Sequence, residues 1–267
     1  MEVWKAIILG AVQGFSEFLP VSSSGHLILL QRWLGVEYGG LFFDVMLHIG
    51  TLIPVCIVLF KEILALFKTP KKLLYLIVAT IPAGLTGIFL GDKVEVYFYS
   101  GDLLAAILLG ITFILTATEL FVAEIVYKKR EVFEPLSMKQ AIYMGLGQGL
   151  AIVPGLSRSG TVISAGCFSG LEKNQNAAFT FMMSIPVILG AALVSGYKCI
   201  KQGVSVEIAP LIAGVLTAAV TGYIAIKFMI AVIKKTDYKW FSLYLVVIAI
   251  VSVLSKAIFG GRSSKKF

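Results

Sequence analysis

Charged residues are scarce in this sequence. Aspartate, glutamate, lysine and arginine make up 14% of its 267 residues, whereas hydrophobic residues make up 58% and the mean hydropathy is +0.92. A soluble domain carries about 25% charged residues. The shortage of charge excludes an ordinary soluble fold and predicts a polytopic membrane protein.

Paired cysteines are also missing. The three cysteines are Cys56, Cys167 and Cys199. No two of them form a CxxC pair, so we expect buried small apolar residues rather than a redox or metal motif. A cleavable signal peptide is not expected either, because residues 1–19 have little basic charge at their start and carry Gln13 and Glu17 within their apolar part.

Against this apolar background, residues 13–26 concentrate polar side chains in the order QGFSEFLPVSSSGH. Gln13 and Glu17 are four residues apart, so a helix would place both on one face. Pro20 would end that helix, and the three serines after it supply cap residues for a second helix. His26 would lie in the first turn of the second helix.

A weaker copy of residues 6–25 follows in the second half of the chain. The identities pair Ala6, Ile7, Gly10, Gln13, Gly14, Ser22, Ser24 and Gly25 with Ala141, Ile142, Gly145, Gln148, Gly149, Ser157, Ser159 and Gly160. Chance would give roughly one or two identities, so the match indicates an internal repeat. The copies differ in their chemistry, because Ile152 stands in the position of Glu17 and Arg158 in that of Ser23.

Hydrophobic pattern and breaker residues predict ten helical segments. They cover residues 4–19, 22–35, 42–60, 72–90, 102–127, 138–153, 159–169, 176–197, 207–233 and 240–258. Crossing the hydrocarbon takes about 20 residues, and the first and sixth segments are shorter and are followed by Pro20 and Pro154. Each of these two, with the segment after it, is expected to form a re-entrant hairpin that enters and leaves on one side.

Three spans follow each hairpin, and because three is odd the second half must be inverted relative to the first. The predicted fold is all-α and integral to the membrane, with six transmembrane helices and two re-entrant helical hairpins in an inverted-topology repeat. Residues 1–267 would form a single membrane domain made of two inverted repeats, at about 1–130 and 136–267.

Basic loops predict the orientation. The loops around Lys61–Lys72, Lys128–Lys139 and Lys234–Lys239 fall on one side of this fold. The positive-inside rule makes that side cytoplasmic, and it accounts for the net charge of +8 without a nucleic-acid partner. The first hairpin then enters from outside and the second from the cytoplasm, so that their tips meet inside the bilayer. The basic tail Arg262–Lys266 would lie outside, against the rule.

The two tips carry a set of groups suited to phosphate chemistry. Each tip places a serine-capped helix N-terminus, which attracts anions, and Arg158 adds a guanidinium. Glu17 beside a bound phosphate is unfavourable unless a divalent cation lies between them, and Gln13 would be a neutral oxygen ligand for Mg²⁺. His26 is a candidate proton-transfer group and Ser23 a candidate nucleophile. Together these residues predict phosphoryl transfer on an anion held within the membrane.

Each residue also has a plainer interpretation. Glu17 could be a structural carboxylate bonded to loop N–H groups, and Arg158 could pin the second hairpin to carbonyl groups. The serines could be caps only, and His26 a simple hydrogen-bonded histidine. His48 is expected to pack beside Asp44 rather than to form a second site.

Residues 13–26 resemble the first signature of the undecaprenyl-diphosphate phosphatase family, which is associated with bacitracin resistance. Pro154–Gly160, with the sequence PGLSRSG, resembles the second signature, and the likeness covers the whole chain. The resemblance implies hydrolysis of a C55 polyprenyl diphosphate to the monophosphate, which recycles the lipid carrier for cell-wall synthesis. It implies a divalent cation, Mg²⁺ or Ca²⁺, six spans with two re-entrant hairpins, and a site that opens to the outer face of the plasma membrane.

The resemblance also implies roles for single residues. Gln13 and Glu17 would be linked to the metal, Ser23 and His26 would be the reactive pair, and Arg158 would bind the diphosphate. The substrate-binding residues would be Ser22, Ser24, Gly25, Ser157, Ser159, Gly160 and Thr161. Whether Ser23 or water attacks phosphorus stays open.

One departure from the family pattern concerns its last position. The pattern is Ser-Arg-Ser-x-x-Thr, and here Val162 occupies the threonine position while Thr161 comes one residue early. A step of one residue turns a helical side chain by about 100°. This puts the role of Thr161 in question.

A transporter or flippase of polyprenyl phosphate, or of another anion, is the alternative function. Inverted repeats with broken helices at the midplane are typical of transporters. A transporter needs an anion clamp but has no evident use for Ser23, His26 and a metal-binding Glu17 together. The expected partners are the lipid and the membrane, with no nucleic acid, and a homodimer is compatible with the sequence.

Overall fold

The structure is a computed structural model that describes residues 1–36, 41–100, 102–202, 207–235 and 237–259. Within these ranges the chain forms twelve helices and no strand. They are α1 (Val3–Phe18), α2 (Ser23–Leu34), α3 (Leu41–Val58), α4 (Phe60–Phe67), α5 (Pro70–Tyr99), α6 (Leu103–Lys128), α7 (Met138–Leu150), α8 (Arg158–Ser169), α9 (Lys173–Met182), α10 (Ser184–Gln202), α11 (Ile208–Lys235) and α12 (Lys239–Phe259). The prediction of an all-α fold is confirmed.

Several of these helices are long and apolar enough to cross a membrane. Among the described residues, four helical stretches have the length and the apolar composition of a membrane span, namely α5, α6, α11 and α9 combined with α10. A fifth candidate is the pair α3 and α4, which bends by 81° at its break. The chain is thus an all-helical, multi-pass membrane protein, as its composition predicts.

Both predicted helix–break–helix units are present. The first comprises α1 and α2, and the second comprises α7 and α8. Ser22 and Ser157 are the N-caps of the second helix in each unit, and each accepts a hydrogen bond from the backbone N–H three residues later. Gly35 and Gly170 end these helices in the left-handed conformation, with φ of 58° and 79°.

The glycines shared by the two sequence copies are packing positions. Gly10 and Gly14 place α1 against α11, and a Cβ at Gly14 would lie 2.5 Å from the carbonyl oxygen of Ala218. In the second copy Gly145 and Gly149 place α7 against α5 in the same manner. Small residues at such spacing let membrane helices approach closely. The first helix of each copy therefore packs on a helix of the other half.

We expect Gly14→Ala to destabilise the protein by about 1–3 kcal/mol, because the added methyl group overlaps the backbone of α11. Thermal unfolding in detergent measures the change. Gly84→Ala on α5 is the matched control, since a Cβ there meets nothing within 4 Å. Equal unfolding temperatures for both variants would show that the contact between α1 and α11 is looser than described.

Candidate active site

The breaks of the two helix–break–helix units contact each other directly. The break between α1 and α2, residues 19–22, is the first tip, and the break between α7 and α8, residues 151–157, is the second tip. The backbone N–H of Gly155, in the second tip, donates to the hydroxyl of Ser22 at 3.1 Å. In return the hydroxyl of Ser159 donates to the carbonyl oxygen of Leu19, in the first tip, also at 3.1 Å. These reciprocal hydrogen bonds hold the two helix N-termini beside one shared space.

The first tip contains a strained backbone. Ser22 has φ of 68°, and it is the single non-glycine residue with positive φ in the described ranges. Its carbonyl oxygen lies 2.8 Å from Nδ1 of His26, and its hydroxyl accepts from the N–H of Gly25. Residues in this conformation cost energy and concentrate at functional sites, where surrounding contacts enforce them.

Two threonines of α6 fix the second tip. Thr112 donates to the carbonyl oxygen of Pro154 at 2.7 Å, and Thr116 donates to that of Gly155 at 3.2 Å. The Thr116 hydroxyl also accepts from the N–H of Ser157 at 3.0 Å. Gly155 has φ of 91°, and a Cβ there would lie 2.9 Å from Cβ of Thr112. Glycine is required at this position on both counts.

A cavity of about 230 Å³ lies where the tips meet. Its polar lining residues are Glu17, Ser22, Ser23, Ser24, His48 and Arg158. Its apolar lining residues are Val45, Ala151, Ile152, Leu156, Val187, Ile188 and Ala191. The cavity lining thus combines polar and apolar side chains, which suits an amphipathic ligand. The six polar residues are called the polar wall below.

Glu17 is the centre of the polar wall. One carboxylate oxygen pairs with the guanidinium of Arg158, which reaches across from the second tip. The other oxygen accepts from the Ser23 hydroxyl at 2.9 Å and from Nε2 of Gln13 at 3.0 Å. It also lies 3.0 Å from Nδ1 of His48. A buried carboxylate needs such partners, because an unpaired charge in a low-dielectric interior is very costly.

His26 lies elsewhere. Its Nδ1 faces the carbonyl oxygen of Ser22, and its Nε2 lies 2.7 Å from the hydroxyl of Tyr244 on α12. It is not among the residues that line the cavity. The expectation that His26 takes the proton of Ser23 therefore finds no contact here, because the Ser23 hydroxyl donates to Glu17.

Of the residues predicted to bind substrate, Ser22 and Ser24 line the cavity and four others make protein contacts. Ser157 caps α8, and Ser159 links the tips. Gly25 packs under Phe113, and a Cβ at Gly160 would lie 3.1 Å from the Ser157 side chain. These four shape the tips instead of lining the cavity.

Thr161 lies outside the cavity. Its hydroxyl donates to Glu119 of α6 at 2.9 Å. Val162, in the family's threonine position, is fully buried. Neither of the two positions lines the cavity.

His48 is the residue of the polar wall that sequence reasoning missed. The sequence predicts that it packs beside Asp44, four residues earlier on α3, and that carboxylate also accepts from Gln31 and from Tyr99. The contact that the sequence does not predict is the one between His48 and Glu17, which forms because α3 packs against α1. The sequence did offer one signal for His48. The chain has only two histidines, and an ionisable side chain within an apolar helix is by default a candidate functional residue.

A divalent cation fits this wall. Among the described residues no group of three or more His, Cys, Asp and Glu side chains has metal-binding geometry. Mg²⁺ and Ca²⁺, however, bind through oxygen, and Mg²⁺ is commonly held by one or two carboxylates together with phosphate oxygens of the substrate. Glu17 supplies the carboxylate, and the buried Oε1 of Gln13 has no hydrogen-bond partner in the part of the chain that is described.

Comparison with known proteins identifies the family. The family model "Bacitracin resistance protein BacA" matches residues 6–251. An "Undecaprenyl-diphosphatase" from Carboxydothermus hydrogenoformans is 40% identical over 262 residues, which is 96% of this chain and 98% of that protein. Proteins of the same name from Thermodesulfovibrio yellowstonii and Methanosphaera stadtmanae are 40% and 36% identical, over 90% and 95% of this chain and 94% and 98% of those proteins. Two joined tips that carry both signatures, and a match over nearly the full length, mean that this chain belongs to the bacitracin resistance protein BacA family.

Proposed function

We propose that the chain is a membrane-embedded phosphatase that hydrolyses undecaprenyl diphosphate to undecaprenyl phosphate and inorganic phosphate. The observation that carries the proposal is the cavity wall in which Glu17 joins the Ser23 hydroxyl to the Arg158 guanidinium. The relatives bear the name of this activity. Such an enzyme returns the lipid carrier of cell-wall synthesis to its monophosphate form.

Arg158 is the group that would hold the diphosphate. Its planar guanidinium can grip two phosphate oxygens, and the first N–H groups of α2 and α8 have no partner within their own helices. A diphosphate at the tips would draw Arg158 away from Glu17, with which it pairs now. The apolar residues of α10, Val187, Ile188 and Ala191, suit the start of the prenyl chain.

In this proposal Ser23 attacks phosphorus. Its hydroxyl donates to Glu17, so the carboxylate can take the proton as Ser23 Oγ bonds to the terminal phosphorus. The bond from that phosphorus to the bridging oxygen breaks, and prenyl phosphate leaves. Water then cleaves the phosphoserine to phosphate and restores the hydroxyl. When bound at Gln13 and Glu17, a divalent cation would neutralise the charge of the phosphoryl oxygens.

Phosphate release from purified protein in detergent tests the proposal against the transporter alternative. Detergent leaves no second compartment, so a transporter produces no signal. Release of one phosphate per undecaprenyl diphosphate, with undecaprenyl phosphate as the lipid product, is the expected result. A folded preparation that binds the lipid without releasing phosphate would favour the transporter.

Activity should depend on a divalent cation. We expect protein stripped with a chelator to lose at least about 90% of its turnover and to recover it on addition of Mg²⁺ or Ca²⁺, because Glu17 repels the diphosphate unless a cation lies between them. The measurement is phosphate release against free cation concentration. Full turnover of stripped protein in excess chelator would contradict this prediction.

We also propose the finer topology. The six spans would be α3 with α4, α5, α6, α9 with α10, α11 and α12, and the hairpins α1–α2 and α7–α8 would enter from opposite sides. The reciprocal packing of α1 on α11 and of α7 on α5 supports an inverted repeat in one plasma-membrane domain. The side that carries Asp102 would face outward, since the loop before α5 is basic.

Cysteine labelling checks this orientation in a background without the three native cysteines. Lys71 lies at the start of α5 and Asp102 lies three residues after its end, and both are exposed. Asp102→Cys should react with a membrane-impermeant maleimide on intact cells, and Lys71→Cys should react only after the cells are opened. The reverse pattern would invert the topology.

A further inference from the structure

Two side chains, His48 and Gln13, converge on the Glu17 carboxylate of the polar wall. Nδ1 of His48 lies 3.0 Å from Oε2 of Glu17 and 2.7 Å from the amide nitrogen of Gln13. The same amide nitrogen donates to Glu17 Oε2 at 3.0 Å. Gln13 is fully buried, and Glu17 is 5% exposed. The three groups therefore depend on one another for their hydrogen bonds.

Their hydrogen bonds cannot all be satisfied. An amide nitrogen only donates, so His48 Nδ1 must lack a hydrogen to accept from Gln13. The lone pair of such a nitrogen then faces the carboxylate oxygen of Glu17 at 3.0 Å. If Nδ1 carries the hydrogen, it satisfies Glu17 but meets the amide N–H of Gln13. Each tautomer leaves one unfavourable contact.

Turning the amide over does not resolve the conflict. The oxygen of Gln13 would then accept from His48 Nδ1, but it would lie beside the carboxylate oxygen of Glu17, and two acceptors repel. In the present orientation that amide oxygen is buried without a partner among the described residues. A cation removes the conflict in one step, because Gln13 Oε1, Glu17 Oε2 and His48 Nδ1 can all present lone pairs to it.

We propose that His48 is a nitrogen ligand of the cation site, together with Gln13 and Glu17, and that it makes this site prefer Mn²⁺ to Ca²⁺. The inference rests on the cation site of the proposed function and goes beyond it in ligand set and ion preference. Ca²⁺ is bound by oxygen ligands. An imidazole nitrogen favours divalent first-row transition ions over Ca²⁺, and among these Mn²⁺ is the one that also suits carboxylate and amide oxygens. A mixed set of one imidazole, one carboxylate and one amide oxygen therefore shifts selectivity toward Mn²⁺.

The competing explanation is that His48 only neutralises Glu17. In that case the imidazole would donate to the carboxylate and would not touch the ion. The two explanations differ in the magnetic coupling between bound Mn²⁺ and histidine nitrogen. The chain offers a clean test because it contains two histidines, and both nitrogens of His26 face other groups, the Ser22 carbonyl and the Tyr244 hydroxyl.

The experiment is pulsed electron paramagnetic resonance of Mn²⁺ bound to the full chain without substrate, after removal of any histidine tag. Wild type should show imidazole nitrogen coupling that changes to the ¹⁵N pattern when only histidine is labelled with ¹⁵N. His48→Gln should lose this coupling and should bind Mn²⁺ at least about tenfold more weakly, with Ca²⁺ binding changed less. His26→Gln, the matched control, should keep the coupling.

The outcomes separate this inference from the proposed function. Bound Mn²⁺ without histidine coupling in wild type overturns the role of His48, and the labelled wild type gives this result without any variant. A coupling that survives in His48→Gln overturns it as well, as does a failure of wild type to bind Mn²⁺. The chelator experiment on turnover decides the cation dependence of the phosphatase independently of all three results.

Discussion

Arg158→Lys should reduce kcat/KM by about 30- to 1000-fold although the positive charge is kept, which corresponds to about 2–4 kcal/mol of transition-state stabilisation. The guanidinium is a planar fork that can hold two phosphate oxygens in fixed directions, whereas an ammonium is a point charge. Arg158 begins α8 and reaches across to Glu17 of the first tip. Hydrolysis of undecaprenyl diphosphate at several substrate concentrations measures the loss.

Arg130→Lys is the matched control. Arg130 donates to the carbonyl oxygen of Phe168 near the far end of α8 and lies outside the cavity, so its replacement should leave kcat/KM within about threefold of wild type. A lysine at position 158 can still pair with Glu17 in the empty site. An Arg158→Lys variant as active as the control would therefore make Arg158 a structural pin between the tips.

The hairpins could be predicted because their signals are local. A proline, closely spaced serines and a capped helix start lie within a few residues of each other in both copies. The repeat also showed where the two units correspond, although the physical use of its glycines became clear only from the packing of α1 on α11 and of α7 on α5. Residues close together in the sequence thus predicted the two tips. The helix contacts explain why the glycines of α1 recur in α7.

Contacts between distant segments could not be predicted in this way. His48 meets Glu17 because α3 packs beside α1, and no pattern within α3 encodes that neighbour. His26 turns toward Tyr244, which is 218 residues away in the sequence. Spacing alone placed Ser23 and His26 close together on α2, but it did not determine which partner each side chain takes. Long-range packing made that choice.

Helix breaks within spans were missed for a related reason. The segment predicted at residues 42–60 corresponds to α3, but α4 follows it at a bend of 81° in residues that were predicted to be a loop. The segment predicted at residues 176–197 is divided into α9 and α10. Pro54 inside α3 weakens its backbone hydrogen bonding, but whether a proline kinks or ends a membrane helix depends on its neighbours. The sequence therefore predicted the apolar run and not its bend.

Ser23→Ala should lower turnover by about four orders of magnitude or more if Ser23 is the nucleophile, because no covalent intermediate can then form. If water attacks instead, the variant should keep a slow rate that still depends on the cation. Rapid acid quenching of wild type with substrate labelled on the terminal phosphate adds a direct test. It should trap phosphate on Ser23, and Ser23→Ala should trap none.

The partner of Ser23 is decided by double variants. Sequence spacing predicts that Ser23 and His26 act as one unit, whereas the structure joins the Ser23 hydroxyl to Glu17 and turns His26 toward Tyr244. Groups that work in one step are strongly non-additive. Ser23→Ala/Glu17→Gln should therefore cost little more than the worse single change, while the losses of Ser23→Ala and His26→Ala should multiply. The opposite result would be multiplying losses for Ser23 with Glu17 and a shared loss for Ser23 with His26. It would mean that His26 takes the proton of Ser23, and His26 would then have to leave Tyr244 when the lipid binds.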